Sequence, residues 1–291
     1  MNDTLTVPAA APASQTRERK PFVTIRPTAG WQALNLFQVW QYRDLLISLA
    51  SRDVKLRYKQ TALGIVWVVL QPLIAAGIFS FVFGKVANMS SDGVPYFIFS
   101  FAGLMAFNLF TNTVGKIGGS LTGNAHLISK VFFPRLILPL SAVPSTMIDF
   151  LVASGMMVGL MVVYRVSPTW TVCLLPVWMA LLLMLAVGIG LCAASLMVSY
   201  RDVGYILPVF LQILMYASPV AYSITKVPAN LRFWYDLNPL SPLIVAFRWS
   251  IFGTGLGDLP HLALATGVTL LVLLVGLFSF KRMERRFADV I

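Results

Sequence analysis

Charge is scarce in this 291-residue chain: 11% of its residues are Asp, Glu, Lys or Arg, 58% are hydrophobic, and the mean hydropathy is +0.79. Soluble domains carry about 25% charged residues, so a soluble globular class is excluded. Cysteine is nearly missing. Cys173 and Cys192 stand alone, nineteen positions apart in what reads as one helix, which separates them by about 28 Å at the helical rise. No disulfide closes that distance. With only His126 and His261 besides, no metal-ligand spacing exists. Also lacking are GxSxG, HExxH and paired acids suited to glycosyl transfer, so the chain reads as a non-enzyme. A phosphate-binding loop is missing too: "GIFSFVFGKV" (Gly77–Val86) puts six residues between its glycines, and Val86 stands where Ser or Thr would hold magnesium.

What the chain does contain is a series of nearly uncharged blocks: Thr61–Gly84, Val94–Gly115, Leu136–Tyr164, Val172–Tyr200, Val203–Tyr222 and Leu259–Phe280. Each reaches the roughly 20 residues a helix needs to cross a bilayer. None shows the alternation of a membrane barrel, and only helices or closed barrels satisfy backbone groups in lipid. The expected fold is therefore an all-α polytopic membrane protein with six transmembrane helices. Residues 1–40, rich in Ala, Pro, Ser and Thr without an apolar core, read as a disordered cytoplasmic tail rather than a secretory signal. Residues 41–60 read as an interface helix, 61–283 as the six-span domain and 284–291 as a cytoplasmic tail. A thirteen-residue apolar run containing Arg248, Leu240–Phe252, is short for a span and reads as part of a re-entrant hairpin between spans five and six.

The net charge of +11 is not a nucleic-acid signal, because its placement follows the membrane. Seventeen Lys and Arg fall in segments on the side of the termini and five on the other. By the positive-inside rule both termini are cytoplasmic.

The segment "SRDVKLRYKQTALGIVWVVLQPL" (Ser51–Leu73) joins a basic stretch directly to a span. At 100° per residue, Tyr42, Leu45, Leu46, Leu49 and Leu56 share one arc of Arg43–Gln60, and Asp44, Ser48, Ser51, Arg52, Lys55 and Lys59 another. This amphipathic helix suits the inner membrane interface, either as an anchor or as a docking surface for a cytoplasmic partner. Asp53 and Arg57, four apart, are placed for a helical ion pair.

Here a resemblance enters. "RDVKLRYKQTALGIVWVVLQPL", "NAHLISKVFFPRLILPLSAV" (Asn124–Val143), "NPLSPLIVAFRWSIFG" (Asn238–Gly253) and the terminal "FKRMERRFADVI" resemble the type-2 ABC permease family, the membrane subunits of polysaccharide-exporting ABC transporters. The resemblance runs from about Arg43 to Ile291. It implies a homodimeric permease in the bacterial inner membrane that exports a lipid-linked polysaccharide. It also implies a separate ATPase subunit that binds ATP and magnesium, with no cofactor in this chain. A permease for a drug or haem is the alternative within the family.

Force from such a partner must enter through the Arg43–Gln60 helix and the loop Lys116–Arg135. Asp53, Arg57, Lys130 and Arg135 are the candidate coupling residues; otherwise they only reach toward headgroups. Asp149 is the one acid deep in a span, and intramembrane carboxylates seldom face lipid. It reads as a structural group or as part of the conduit, and no basic residue is expected at its depth. Asn108, Thr111 and Gly115 share a face of the second span, and Gln71-Pro72 interrupts the first; such residues join helices or face a water-filled path. Among many aromatics expected near the outer interface, Tyr216, Tyr222, Trp234 and Tyr235 are candidates for stacking on sugars at the exit, with an interfacial belt as the plainer reading.

Overall fold

The computed structural model describes residues 36–59 and 65–284 except 227, 229–231, 233, 234 and 236; the side chains of 36–38, 57–59, 65 and 226 also lie outside the description. Most of the expected tails, 1–40 and 284–291, therefore falls outside it, as does Trp234, while residues 36–40 of the first belong to a helix.

The described residues form helices without a strand. α1 (Leu36–Gln41) leads into α2 (Arg43–Lys59). α3 (Ile65–Phe79) runs through Pro72 and continues as a π-helix, Ser80–Val86. α4 spans Tyr96–Gly118, α5 Ser120–Gly123, α6 Ala125–Lys130 and α7 Ile137–Val163. A 3-10 turn, Trp170–Leu174, opens α8 (Leu175–Ser199), and α9 (Val203–Tyr216), α10 (Leu240–Phe252) and α11 (Leu259–Met283) follow.

Among the described residues five segments are long and apolar enough to cross a membrane: Val66–Val86, Tyr96–Gly118, Ile137–Val163, Trp170–Ser199 and Leu259–Met283. The block expected as the fifth span is shorter than its apolar run. α9 covers 14 residues and stops at Tyr216, just before Ser218-Pro219, where proline removes a backbone donor and disfavours helical geometry in the residue before it. α10 is the thirteen-residue run with Arg248, and twelve of its residues are buried. It begins where Asn238 Nδ2 donates to Ala217 O (3.3 Å) and Ser218 Oγ (2.9 Å). It ends at Gly253, whose φ of 73° is the left-handed cap that glycine adopts at little cost.

α4 is the hub. In its most apolar window 78% of residues are buried, against 11% in the first span. Phe101, Phe107, Phe110 and Val114 join Phe150 and Met157 of α7, Leu182 and Leu185 of α8 and Phe247 of α10 in one core. Small residues let backbones approach, as membrane helices require when lipid supplies no hydrophobic drive. A Cβ on Gly188 of α8 would meet Val272 O of α11 at 2.7 Å, and one on Gly276 would strike the backbone of Gly188.

A second core holds α2 against the bundle: Leu49 with Ile137 and Leu138 of α7 and Leu121 of α5, Leu45 and Leu46 packing alongside. The apolar arc read from the sequence is thus half used. Leu56, at 57% exposed, and Tyr42, at 37%, face outward, while Ala50 is buried in their place.

Candidate functional site

The surface of a membrane chain tells what it faces. On α3 with its π-helical continuation, α9 and α11 most exposed residues are apolar, such as Ile74 and Phe81, Ile206 and Ile213, and Leu271 and Leu274, with Gln71, Lys85, Gln212, Lys281 and Arg282 among the exceptions. On α4 they are not. Between Ile98 and Gly118 every residue is buried except Asn108, Thr111, Asn112, Gly115 and Lys116. At 100° per residue these five fall within about 140° of arc, one continuous stripe down the helix. Above Gly115 the space is open, with no atom within 4 Å of where a Cβ would stand. The hydroxyl of Thr111 donates to Phe107 O at 3.0 Å. Unpaired amides in hydrocarbon are costly, so side chains such as Asn108 and Asn112 belong against water or another polar surface. The face expected from Asn108, Thr111 and Gly115 is there, extended by Asn112 and Lys116, which sequence reading did not include. Gln71 also lies on an exposed position, on α3.

Asp149 is 6% exposed on α7, and the expectation that it meets no basic residue is overturned. Lys116, counted above with the loop, sits in the last turn of α4; its Nζ lies 2.8 Å from Ser145 Oγ and 3.4 Å from Asp149 Oδ2. Helical side chains lean toward their N-terminus. On α4 that direction leads from the loop into the bundle, so a four-carbon stem carries the amine up to the carboxylate. Closer to the middle of α4, the hydroxyls of Thr113 and Thr146 are 3.0 Å apart.

The end of the bundle that carries α2, α5 and α6 is tied together by polar side chains. Arg52 Nη2 donates to Asn124 Oδ1 at the start of α6 (2.8 Å) and to Asp53 Oδ1 (3.1 Å). Asp53 thus pairs with Arg52; the side chain of Arg57, its expected partner, lies outside the described residues. Arg135 donates from Nη1 to Glu284 O at the end of α11, and Lys281 Nζ meets Glu284 Oε2 at 2.7 Å. Lys130, the last residue of α6, is exposed beside Val131 and Phe132, themselves 54% and 72% exposed. Asp53 and Arg135 therefore sit in linkages between cytoplasmic-candidate elements, through partners the sequence did not indicate.

At the opposite end, three of the four exit candidates come together. Tyr222 donates to Tyr216 O (2.9 Å), its hydroxyl is 2.6 Å from that of Tyr235, and the two rings meet edge to face. Burial, then the bond with Tyr235, pushes the Tyr222 hydroxyl above its ordinary pKa. Beneath them Arg248, 5% exposed, stacks its guanidinium 4.1 Å from the centre of the Phe99 ring. The Asp92 carboxylate accepts from Ser223 Oγ at 2.8–2.9 Å and pulls on the Arg248 charge. Arg248 had no predicted role. Its signal was a lone arginine in a thirteen-residue apolar run.

Among the described residues no cluster of His, Cys, Asp or Glu could hold a metal.

A family model described as "ABC-2 type transporter" matches residues 44–252. The O-antigen export system permease protein RfbA of Myxococcus xanthus is 28% identical over 256 residues, covering 87% of this chain and 98% of that protein. RfbA of Klebsiella pneumoniae is 26% identical over 252 residues, with 85% and 95% covered. The polysialic acid transport protein KpsM of Escherichia coli is 22% identical over 254 residues, with 81% and 92% covered. The match spans the interface helix, the α4 stripe and α10 alike, and the chain belongs to the ABC-2 type transporter family.

Proposed function

We propose that this chain is the permease subunit of an ABC transporter that exports a lipid-linked polysaccharide across the bacterial inner membrane, with both termini cytoplasmic. It works as a homodimer with separate subunits that bind ATP and magnesium. The observation that carries the reading is the α4 stripe: the central helix of a membrane bundle shows a polar accessible face, whereas α7, packed against it, exposes only apolar side chains and glycines, and the exposed residues of α3 and α9 are mostly apolar. Side-chain amides and a hydroxyl are suited to sugar hydroxyls, which need hydrogen bonds of no fixed register. The names of the matched relatives, O-antigen and polysialic acid transporters, support the same class of cargo. In a single chain the stripe is open on one side, and a second copy would complete a conduit around it.

Energy enters at the α2 end. Inward closure of the ATPase subunits displaces α2 and the α5–α6 segment, and the polar linkages there carry the movement to the spans. The glycan slides along the stripe and leaves past the aromatic group of Tyr216, Tyr222 and Tyr235, where sugar rings stack without fixed position. The test is co-reconstitution of the permease with its ATPase in liposomes. ATP-dependent passage of glycan is expected. Passage without the ATPase, or ATP-driven movement of haem or a drug with none of glycan, would overturn the reading.

A further inference from the structure

Lys116 and Asp149 join two membrane-spanning helices, α4 and α7, at a depth where charge is expensive. We propose that this pair is a mechanical joint: it passes displacement of the α5–α6 segment through the last turn of α4 into the middle of α7. Lys116 and Asp149 are then positioning residues for transport. The inference depends on the export function above and adds a residue-level route to it.

Placement is the first reason. Lys116 stands two residues before the end of α4, and only Gly119 separates that end from α5. The α5–α6 segment is itself held to α2 through Asn124. Whatever moves α6 therefore acts on the turn that carries Lys116.

The landing point is the second. Lys116 grips α7 at Ser145 and Asp149, just past Pro144. Proline removes a backbone bond there. Ser141, Ser145 and Thr146 also bond back to the carbonyls of Leu138, Ala142 and Val143. Such back-bonding hydroxyls, like proline, bend helices. The grip is thus applied at a weakened stretch of α7, where a pull changes the helix's course.

The pair is not needed to hold the two helices together. α4 and α7 already share an apolar core through Phe110, Phe150 and Met157, so packing alone holds them. A buried ion pair is poor glue, since well-packed apolar residues often replace one without loss of stability. It is a good joint, because drawing Lys116 away from the buried Asp149 carboxylate, 8% exposed, gives up an attraction that low dielectric strengthens. The Thr113–Thr146 contact adds a second point of attachment and opposes rotation about the first.

The test compares Asp149→Asn, Lys116→Arg and the doubly apolar Lys116→Met/Asp149→Leu in the reconstituted complex with its ATPase. The quantity read is glycan exported per ATP hydrolysed, which loss of folded protein leaves unchanged. Both Asp149→Asn and the double variant should lower this ratio about tenfold, within the range of ordinary coupling free energies. Lys116→Arg should keep the wild-type ratio. If Asp149→Asn does not assemble, the double variant, which leaves no lone buried charge, decides the matter. A wild-type ratio in either variant overturns the joint, and absence of glycan export by the wild-type complex overturns the function instead.

Discussion

Arg52 on α2 and Asn124 at the head of α6 meet across 2.8 Å, although 72 residues separate them. Each is held for the other: Asp53 takes the same guanidinium at 3.1 Å, and the Asn124 amide donates to Ser120 O at 2.9 Å. The two segments that a cytoplasmic partner would press on are thus tied to each other. Because Arg52 is 41% exposed, the contact contributes only about 1 kcal/mol to stability. In the proposed transport cycle its larger effect falls on coupling. Arg52→Ala and Asn124→Ala should each reduce export severalfold, and the double variant should be no worse than either, as expected for residues acting through one contact. Additive losses in a double-mutant cycle would show that the two act independently.

Arg248 predicts a stability effect of a different kind. Its guanidinium lies over the Phe99 ring and away from water, where a cation–π contact is worth about 2 kcal/mol. Phe99→Leu should therefore lower the thermal unfolding midpoint of the detergent-solubilised protein. Arg248→Lys should lower it as well, since an ammonium is more strongly hydrated and does not stack as a plane. An unchanged midpoint in both variants would remove the contact from the account of the fold.

These two contacts mark what a linear reading catches and what it misses. The spans were legible because apolar runs in lipid have few alternatives to helix. The shared face of Asn108, Thr111 and Gly115 followed from helical periodicity alone. Lys116 misled because its position in the chain says loop, while the lean of its side chain says span. Arg248, Phe99 and Asp92 lie on three separate elements, so no window of sequence contains their relationship. The fifth apolar block looked longer than its helix because composition does not register where Ser218-Pro219 turns the chain.

Close helix packing supplies a third expectation. Gly188 and Gly276 bring the backbones of α8 and α11 together where any Cβ would collide with main-chain atoms. Main chain cannot step aside as a side-chain tip can. Gly276→Val should cost about 1–3 kcal/mol through overpacking, read as a lower unfolding midpoint and reduced recovery of intact protein. By contrast Gly267→Val, at a position with nothing within 4 Å, should leave the midpoint unchanged. Equal midpoints for the two variants would mean that the α8–α11 seam is looser than its geometry.

The polar stripe makes the sharpest claim, because lipid and water differ in the chemistry they permit. A thiol reacts with a charged, membrane-impermeant reagent only as the thiolate and only where water reaches it. In a background with Cys173 and Cys192 replaced by alanine, Asn112→Cys on α4 should label readily. Leu274→Cys on α11, 50% exposed in the chain but on an apolar face, should not. The two sites have comparable access when the membrane is disregarded, so a difference in rate isolates the solvent each one meets. Adding the ATPase with a non-hydrolysable nucleotide should change the Asn112→Cys rate and leave the Leu274→Cys rate alone, since only the former lies on the proposed path. If Asn112→Cys labels as slowly as Leu274→Cys in both states, the stripe faces lipid or a sealed interface, and the conduit must run elsewhere.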